Sequence, residues 1–298
     1  MKLTFTLKML SATCFFSASA LSLAEDRVVL TNDFSRDELA VYAQSLEGGK
    51  RAFPRKFNFP DHVKAGKVFG IDVSHYQGKI DWTKVSGQGV SFAYIKATQG
   101  SNSYDDFFER NWVAVGKLPD GVSPLRRGAY HFMTAKDSAG AQAQNYLKAV
   151  GKLNPKDLPP CVDIEWDFLR KNNKVVLDEH GNKIDQWASL SSSEIVSKVH
   201  SWLDEVESKT GKRPIIYTNA SWWNTRIGEG SGLEDYKVWI ADYSSKSLGR
   251  ESPVTPKKFT WLFWQMTDRG TIKAADMNKG VDTTVLNEIN DGLLSGLK

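Results

Sequence analysis

The chain has 298 residues, 41% hydrophobic and 25% charged, an ordinary globular composition with room for one large α/β domain or two small ones. Its 39 basic and 35 acidic residues leave a charge of +4, too weak to argue for a nucleic-acid partner. Five scattered histidines and two cysteines, Cys14 and Cys161, argue against a structural zinc site.

Residues 1–24 read as a secretory signal. Lys2 and Lys8 precede an apolar run that ends in small residues, with cleavage expected after Ala24 and a second site at Ala18-Ser19-Ala20. The run is short for a membrane anchor, so none is expected after cleavage, and the protein is expected in the periplasm or outside the cell. Cleavage would leave 37 basic against 35 acidic residues and Cys161 as the only thiol, so no intrachain disulfide is expected. Residues 25–66 form a preface. "TNDFSRDELAVYAQSLEGG" predicts a helix capped by Asn32 or Asp33 and stopped by Gly48-Gly49. "KRAFPRKFNFPDHVKAGK" predicts a linker or wrapping arm.

Residues 67–298 read as one domain. Short apolar strands are "KVFGIDVS", "VSFAYIKAT", "RRGAYHFM", "LPPCVDIEW", "RPIIYTN", "KVWIADY", "FTWLFWQM" and, more weakly, "KGVDTTV". Helical stretches follow the second, third and fourth strands, and Ser191 with Glu194 forms a capping-box pattern before the longest. The last strands lack long helices between them. Eight strands alternating with helices predict an α/β fold, an irregular TIM-like (β/α) barrel with few helices between the last strands; an open doubly wound sheet is the rival topology. Residues 168–190 interrupt the alternation, and "VVLDEHGNKID" predicts a hairpin turning at His180-Gly181-Asn182.

The fourth strand, "PPCVDIEWDF", carries three acids in an apolar context. Period-two alternation puts Cys161, Asp163, Glu165 and Asp167 on one face and Val162, Ile164, Trp166 and Phe168 on the other. The acidic set would point into the barrel mouth, where barrel enzymes place their chemistry. Two close carboxylates repel, so one stays protonated beside an ionised partner, as glycoside hydrolysis requires. A solvated edge strand, or an acid cluster holding Mg²⁺ or Ca²⁺, would explain the same acids differently.

Polar residues recur at the other strand ends: Asp72, Lys96, Thr98, Tyr130, His131, Tyr217, Asn219, Asp242, Gln265 and Asp282. Trp166, Tyr130, Tyr217, Trp239 and Trp264 are candidates to stack on sugar rings, although some must be core. No P-loop, GxGxxG, HExxH or GxSxG motif is present.

"GIDVSHYQGKIDW", "FAYIKATQG", "RGAYHF", "CVDIEWD", "IIYTN", "VWIADYS", "FWQ" and "GVDTTVLN" occur in that order. Together they resemble the glycoside hydrolase family 25 lysozymes, or N-acetylmuramidases, over about residues 67–290. The resemblance implies an irregular β/α barrel that hydrolyses the β-1,4 bond between N-acetylmuramic acid and N-acetylglucosamine in peptidoglycan glycan strands. It implies Glu165 as general acid, Asp163 steadying the substrate's 2-acetamido group, and Asp72 and Asp282 tuning charge and binding sugar. Tyr130, Lys96, Tyr217, Trp166, Gln265, Asp242 and Trp264 are the expected substrate-binding residues, with Asp242 ranked below the four acids. No metal or cofactor is expected, and a monomer is. One departure is Gln99, where the family usually has Glu. A non-catalytic peptidoglycan-binding protein and a hydrolase of another N-acetylated glycan, such as chitin, remain the alternatives.

Overall fold

A computed structural model describes residues 28–29, 56–172, 174–272 and 280–287. The predicted signal and preface helix lie outside these residues. Eight strands close a ring in the order β3 (Phe69–Val73), β4 (Val90–Gln99), β6 (Arg126–Phe132), β7 (Cys161–Asp163), β10 (Ile215–Thr218), β11 (Val238–Ala241), β12 (Trp261–Ile272) and β13 (Val281–Leu286). The neighbours from β3 to β12 run parallel; β13 is antiparallel to β12 and to β3, and so closes the barrel. The eight predicted strands are these eight, and the closed ring replaces the open-sheet alternative.

Strand alternation divides the apolar residues into two layers. Phe92, Tyr94, Tyr130, Cys161, Tyr217, Trp239 and Phe263 fill the barrel, while Ile71, Ala93, Ile95, Val162, Ile216 and Ile240 face outward. The interior rings stack closely: Tyr94 and Tyr217 lie 4.8 and 5.0 Å from Trp239, and Phe92 lies 4.9 Å from Phe263. They fit because two neighbouring strand positions carry no side chain. A Cβ on Gly70 would strike the Phe92 ring, and one on Gly128 the Tyr94 ring. Gly128→Ala is therefore expected to lower stability by about 1–3 kcal/mol through overpacking, measured by urea unfolding.

Helices cover the parallel part. α1 (Trp82–Ser86) and α2 (Phe108–Gly116) precede α3 (Ala139–Val150), which Ser138 caps, and α4 (Ser192–Thr210). The predicted capping box on α4 forms, with Gly211 in the left-handed conformation at its end. Ile195, Val199, Trp202, Leu203 and Val206 are its buried stripe. Only short helices follow, α5 (Ala220–Arg226) and α6 (Ser245–Arg250), as the apolar patterning predicted.

The arm before the barrel is partly sheet. β2 (Phe57–Phe59) pairs parallel with β12 at Gly270–Ile272, and the Phe57 ring packs 5.0 Å from Phe69. Phe57 and Phe59 therefore cover a sector that lacks a helix. β1 (Val28–Val29) pairs with β5 (Ser103–Tyr104), which folds back on the end of β4 at Thr98 and Gln99. Proline content and charge marked this arm as loop; pairing with an open strand overrides them. Among the described residues, no helix is long and apolar enough to cross a membrane.

Beyond β7 the insertion forms a compact knob. β8 (Arg170–Lys171) and β9 (Lys174–Val175) make a first turn, and the second turns at His180-Gly181-Asn182, with Gly181 at φ 81° and the Asp178 N–H donating to Asn182 O at 2.8 Å. Three backbone bonds tie its segments in a triangle: Leu169 N–H to Ile184 O (2.8 Å), Ile184 N–H to Val176 O (3.1 Å), and Val176 N–H to Leu169 O (2.9 Å).

Candidate active site

Four acids lie at the same end of the barrel, where the parallel strands terminate. Asp72 lies near the end of β3, directly opposite Asp282 on β13. Asp163 ends β7 between Phe132 and Tyr217, and Glu165 follows two residues later. The Asp163 carbonyl accepts from Met133 N–H and the next amide donates to Tyr217 O, so both neighbouring strands hold this segment after regular pairing ends. All four side chains are buried. Acids at this density repel, and the mouth supplies neutral donors and a cation to offset them.

Gln265 is the central donor. Its amide donates to Asp72 Oδ2 at 2.9 Å, and its carbonyl oxygen accepts from Tyr217 (2.8 Å) and Tyr243 (2.5 Å). Both tyrosines thereby orient the amide so that its N–H₂ end must face the acid. Burial, then the nearby Tyr217, Asp282, Asp268 and Asp72, raises the Tyr243 hydroxyl well above the ordinary tyrosine range, so it remains a donor. Tyr243 is not among the residues that the sequence points to. It lies within the motif "VWIADYS", but only the hydrogen bond to Gln265 marks it out.

Lys96 is buried and donates to Gln99 Oε1 at 2.9 Å, with its ammonium 5.2 Å from the Phe132 ring centre. The neutral amide at 99 is thus one partner of the Lys96 ammonium. Tyr130 and Tyr217 line the interior beneath, and Trp239 donates to Thr284 Oγ1 at 3.2 Å.

Other expected residues are placed elsewhere. Asp242 accepts from Ser244 N–H (3.0 Å), Val254 N–H (2.7 Å) and the Ser247 hydroxyl, so it organises the loop after β11. Trp264 packs in the outer layer and donates to Asp242 O at 2.8 Å. Trp166, beyond the end of β7, is 1% exposed and belongs to the same apolar cluster as Ile164 and Phe168. His131 bridges Thr98 and Gln142 behind the barrel wall, and burial lowers its pKa to about 3, so it is a neutral structural group.

Asp167, on the acidic face by alternation, ties loops together. It accepts from Ala135 N–H at 2.9 Å, and its own N–H donates to Asp185 Oδ1 at 3.2 Å; Asp185 in turn pairs with Arg226 at 2.7 Å. Burial raises its pKa to about 6, against a lowering by the Ala135 and Gln186 hydrogen bonds. The folded protein therefore holds this proton more tightly than the unfolded chain, and stability from this group falls as pH rises from about 4 through about 6. Asp167→Asn, which cannot ionise, is expected to gain about 3 kcal/mol on the wild type between about pH 4 and about pH 7.5, read by urea unfolding at both values.

The sequence profile of Glycosyl hydrolases family 25 matches residues 71–275, which contain all of this mouth except Asp282. The chain belongs to glycosyl hydrolases family 25. As a family 25 member it is a glycoside hydrolase, and its barrel is the family's. It is 33% identical over 210 residues to Lysozyme M1 of Streptomyces globisporus, covering 69% of this chain and 63% of that protein. It is 32% identical over 239 residues to the protein YegX of Escherichia coli O6:H1, covering 78% and 75%. The crystal structure of the Streptomyces coelicolor lysozyme superposes with a TM-score of 0.61 at 31% identity, covering 78% of this chain and 97% of that one. Among the described residues of this family 25 barrel, no group of three or more His, Cys, Asp or Glu is arranged to hold a metal ion.

Proposed function

We propose that this chain is an exported muramidase that hydrolyses the β-1,4 bond between N-acetylmuramic acid and N-acetylglucosamine in peptidoglycan. The observation that carries the reading is the burial of Asp163 and Glu165 together at the mouth of a family 25 barrel. Two buried carboxylates two residues apart favour one proton between them, which supplies an acid and an anion at neutral pH. Glu165 donates its proton to the leaving glycosidic oxygen. Asp163 orients the 2-acetamido group, whose oxygen attacks the anomeric carbon and forms a cyclic intermediate that water then opens, with Glu165 taking back a proton. Configuration is retained. Asp72, held by Gln265, and Asp282 bind sugar hydroxyls and set the charge of the mouth. Tyr130 and Tyr217 shape its interior, Lys96 supplies its cation, and residues 1–24 act as the cleaved export signal.

Mature protein, residues 25–298, is incubated with purified peptidoglycan, and the borohydride-reduced products are read by mass spectrometry. Fragments ending in reduced muramic acid support the assignment. Intact peptidoglycan beside cleaved chitin would transfer it to another N-acetylated glycan, and binding without cleavage of either would make the mouth a ligand site.

A further inference from the structure

The knob at 168–185 grows directly out of the acidic strand. Trp187, at its exit, donates from its indole to Glu165 O at 2.8 Å, and Asp185, bridged to Phe168 at the knob's base, accepts from Asp167 N–H. Its triangle of backbone bonds makes it a rigid rim beside the mouth.

Its charge arrangement conflicts with the demands of folding. Lys171 and Lys174 are ladder partners across the first turn of the knob, and both are exposed. Like charges directly opposite in a β-ladder are destabilising. Among the described residues neither lysine's side chain forms an ion pair or a hydrogen bond. The acids of the knob lie against other groups: Asp185 pairs with Arg226, Asp178 accepts from His180 N–H and Asn182 N–H at 2.9 and 2.8 Å within the second turn, and the exposed Glu179 lies 3.4 Å from the His180 ring. A local cost kept at a rigid rim next to a reaction centre points to a ligand that offsets it.

We propose that Lys171 and Lys174 read the carboxylates of the peptide stems carried by the glycan, making the knob a specificity element for stem-bearing strands. This deepens the muramidase reading and rests on it. The stem hangs from the muramic acid beside the scissile bond, so a stem entering with the sugar must leave the mouth past its rim. Two lysines on one short ladder present a paired cation to a peptide rich in carboxylates.

The test compares wild type with the double variant Lys171→Ala, Lys174→Ala on two substrates. One is intact peptidoglycan; the other is the same glycan stripped of its stems by an amidase. The variant is expected to raise KM about tenfold on stem-bearing glycan, with kcat unchanged, and to match wild type on stripped glycan. Lys171→Arg with Lys174→Arg restores the wild-type KM. Equal kinetics of the double alanine variant and wild type on stem-bearing glycan, or an equal loss on both substrates, overturns the proposal. Co-sedimentation with both glycans gives the same comparison without turnover: a preference for stem-bearing glycan that the alanine variant loses supports the knob, and its absence from wild type overturns it. Failure of wild type to cleave either glycan is a failure of the muramidase reading alone.

Discussion

Glu165→Gln is expected to lose about three orders of magnitude or more in turnover on peptidoglycan while folding as the wild type does. The two side chains are nearly isosteric, and the site is buried, so packing is preserved. The amide cannot donate a proton to a leaving alkoxide, and positioned general acids contribute about 10²–10⁴-fold. Release of reducing ends measures the loss, and thermal unfolding verifies the fold. Activity within about tenfold of wild type would move the acid to another residue. On pKa alone Asp167 is the competitor, held at about 6. Its geometry argues against it, because its carboxylate is engaged by Ala135 N–H and Gln186 in a loop junction. Asp167→Asn should therefore keep turnover close to wild type while changing the pH dependence of stability.

Asp163→Asn is expected to lose about two to three orders of magnitude in kcat, with a smaller change in KM. The carboxylate is proposed to steady positive charge that develops on the acetamido group during attack, an interaction stronger in the transition state than in the ground state. An amide keeps the shape and part of the hydrogen bonding but not the charge. Kinetics on a soluble glycan fragment separate kcat from KM, and NMR of the first-formed anomer reports stereochemistry. A β anomer agrees with assistance by the acetamido group. An α anomer would mean inversion by a water activated on a second carboxylate, and Asp72 or Asp282 would take the part proposed for Asp163. A loss confined to KM would make Asp163 a binding residue with no part in charge stabilisation.

Much of the molecule was legible before any coordinates because its signals are local or periodic. Seven of the eight strands stand out as apolar runs and the eighth, at Val281–Leu286, more weakly, and Ser191 with Glu194 marks the start of α4. Alternation along 161–168 sorted Cys161 into the barrel and Val162, Ile164, Trp166 and Phe168 into the outer layer. Phe57–Phe59 was harder, since nothing within three residues says that β12 has an open edge to receive it.

Sequence by itself determined the eight barrel strands, the three longer helices between them, and the ordered motifs that define the family. All follow from backbone periodicity and from residue types read over a few positions. Tertiary structure alone decided closure of the ring through an antiparallel β13, the pairing of the N-terminal arm, and the division of labour among the polar residues. Gln265 reaches Asp72 across 193 positions of chain, whereas Asp242 is satisfied within its own loop and Asp167 by a neighbouring one. A buried polar group must find a partner, and the partner is whichever group the completed fold brings within about 3 Å, a choice no local pattern encodes.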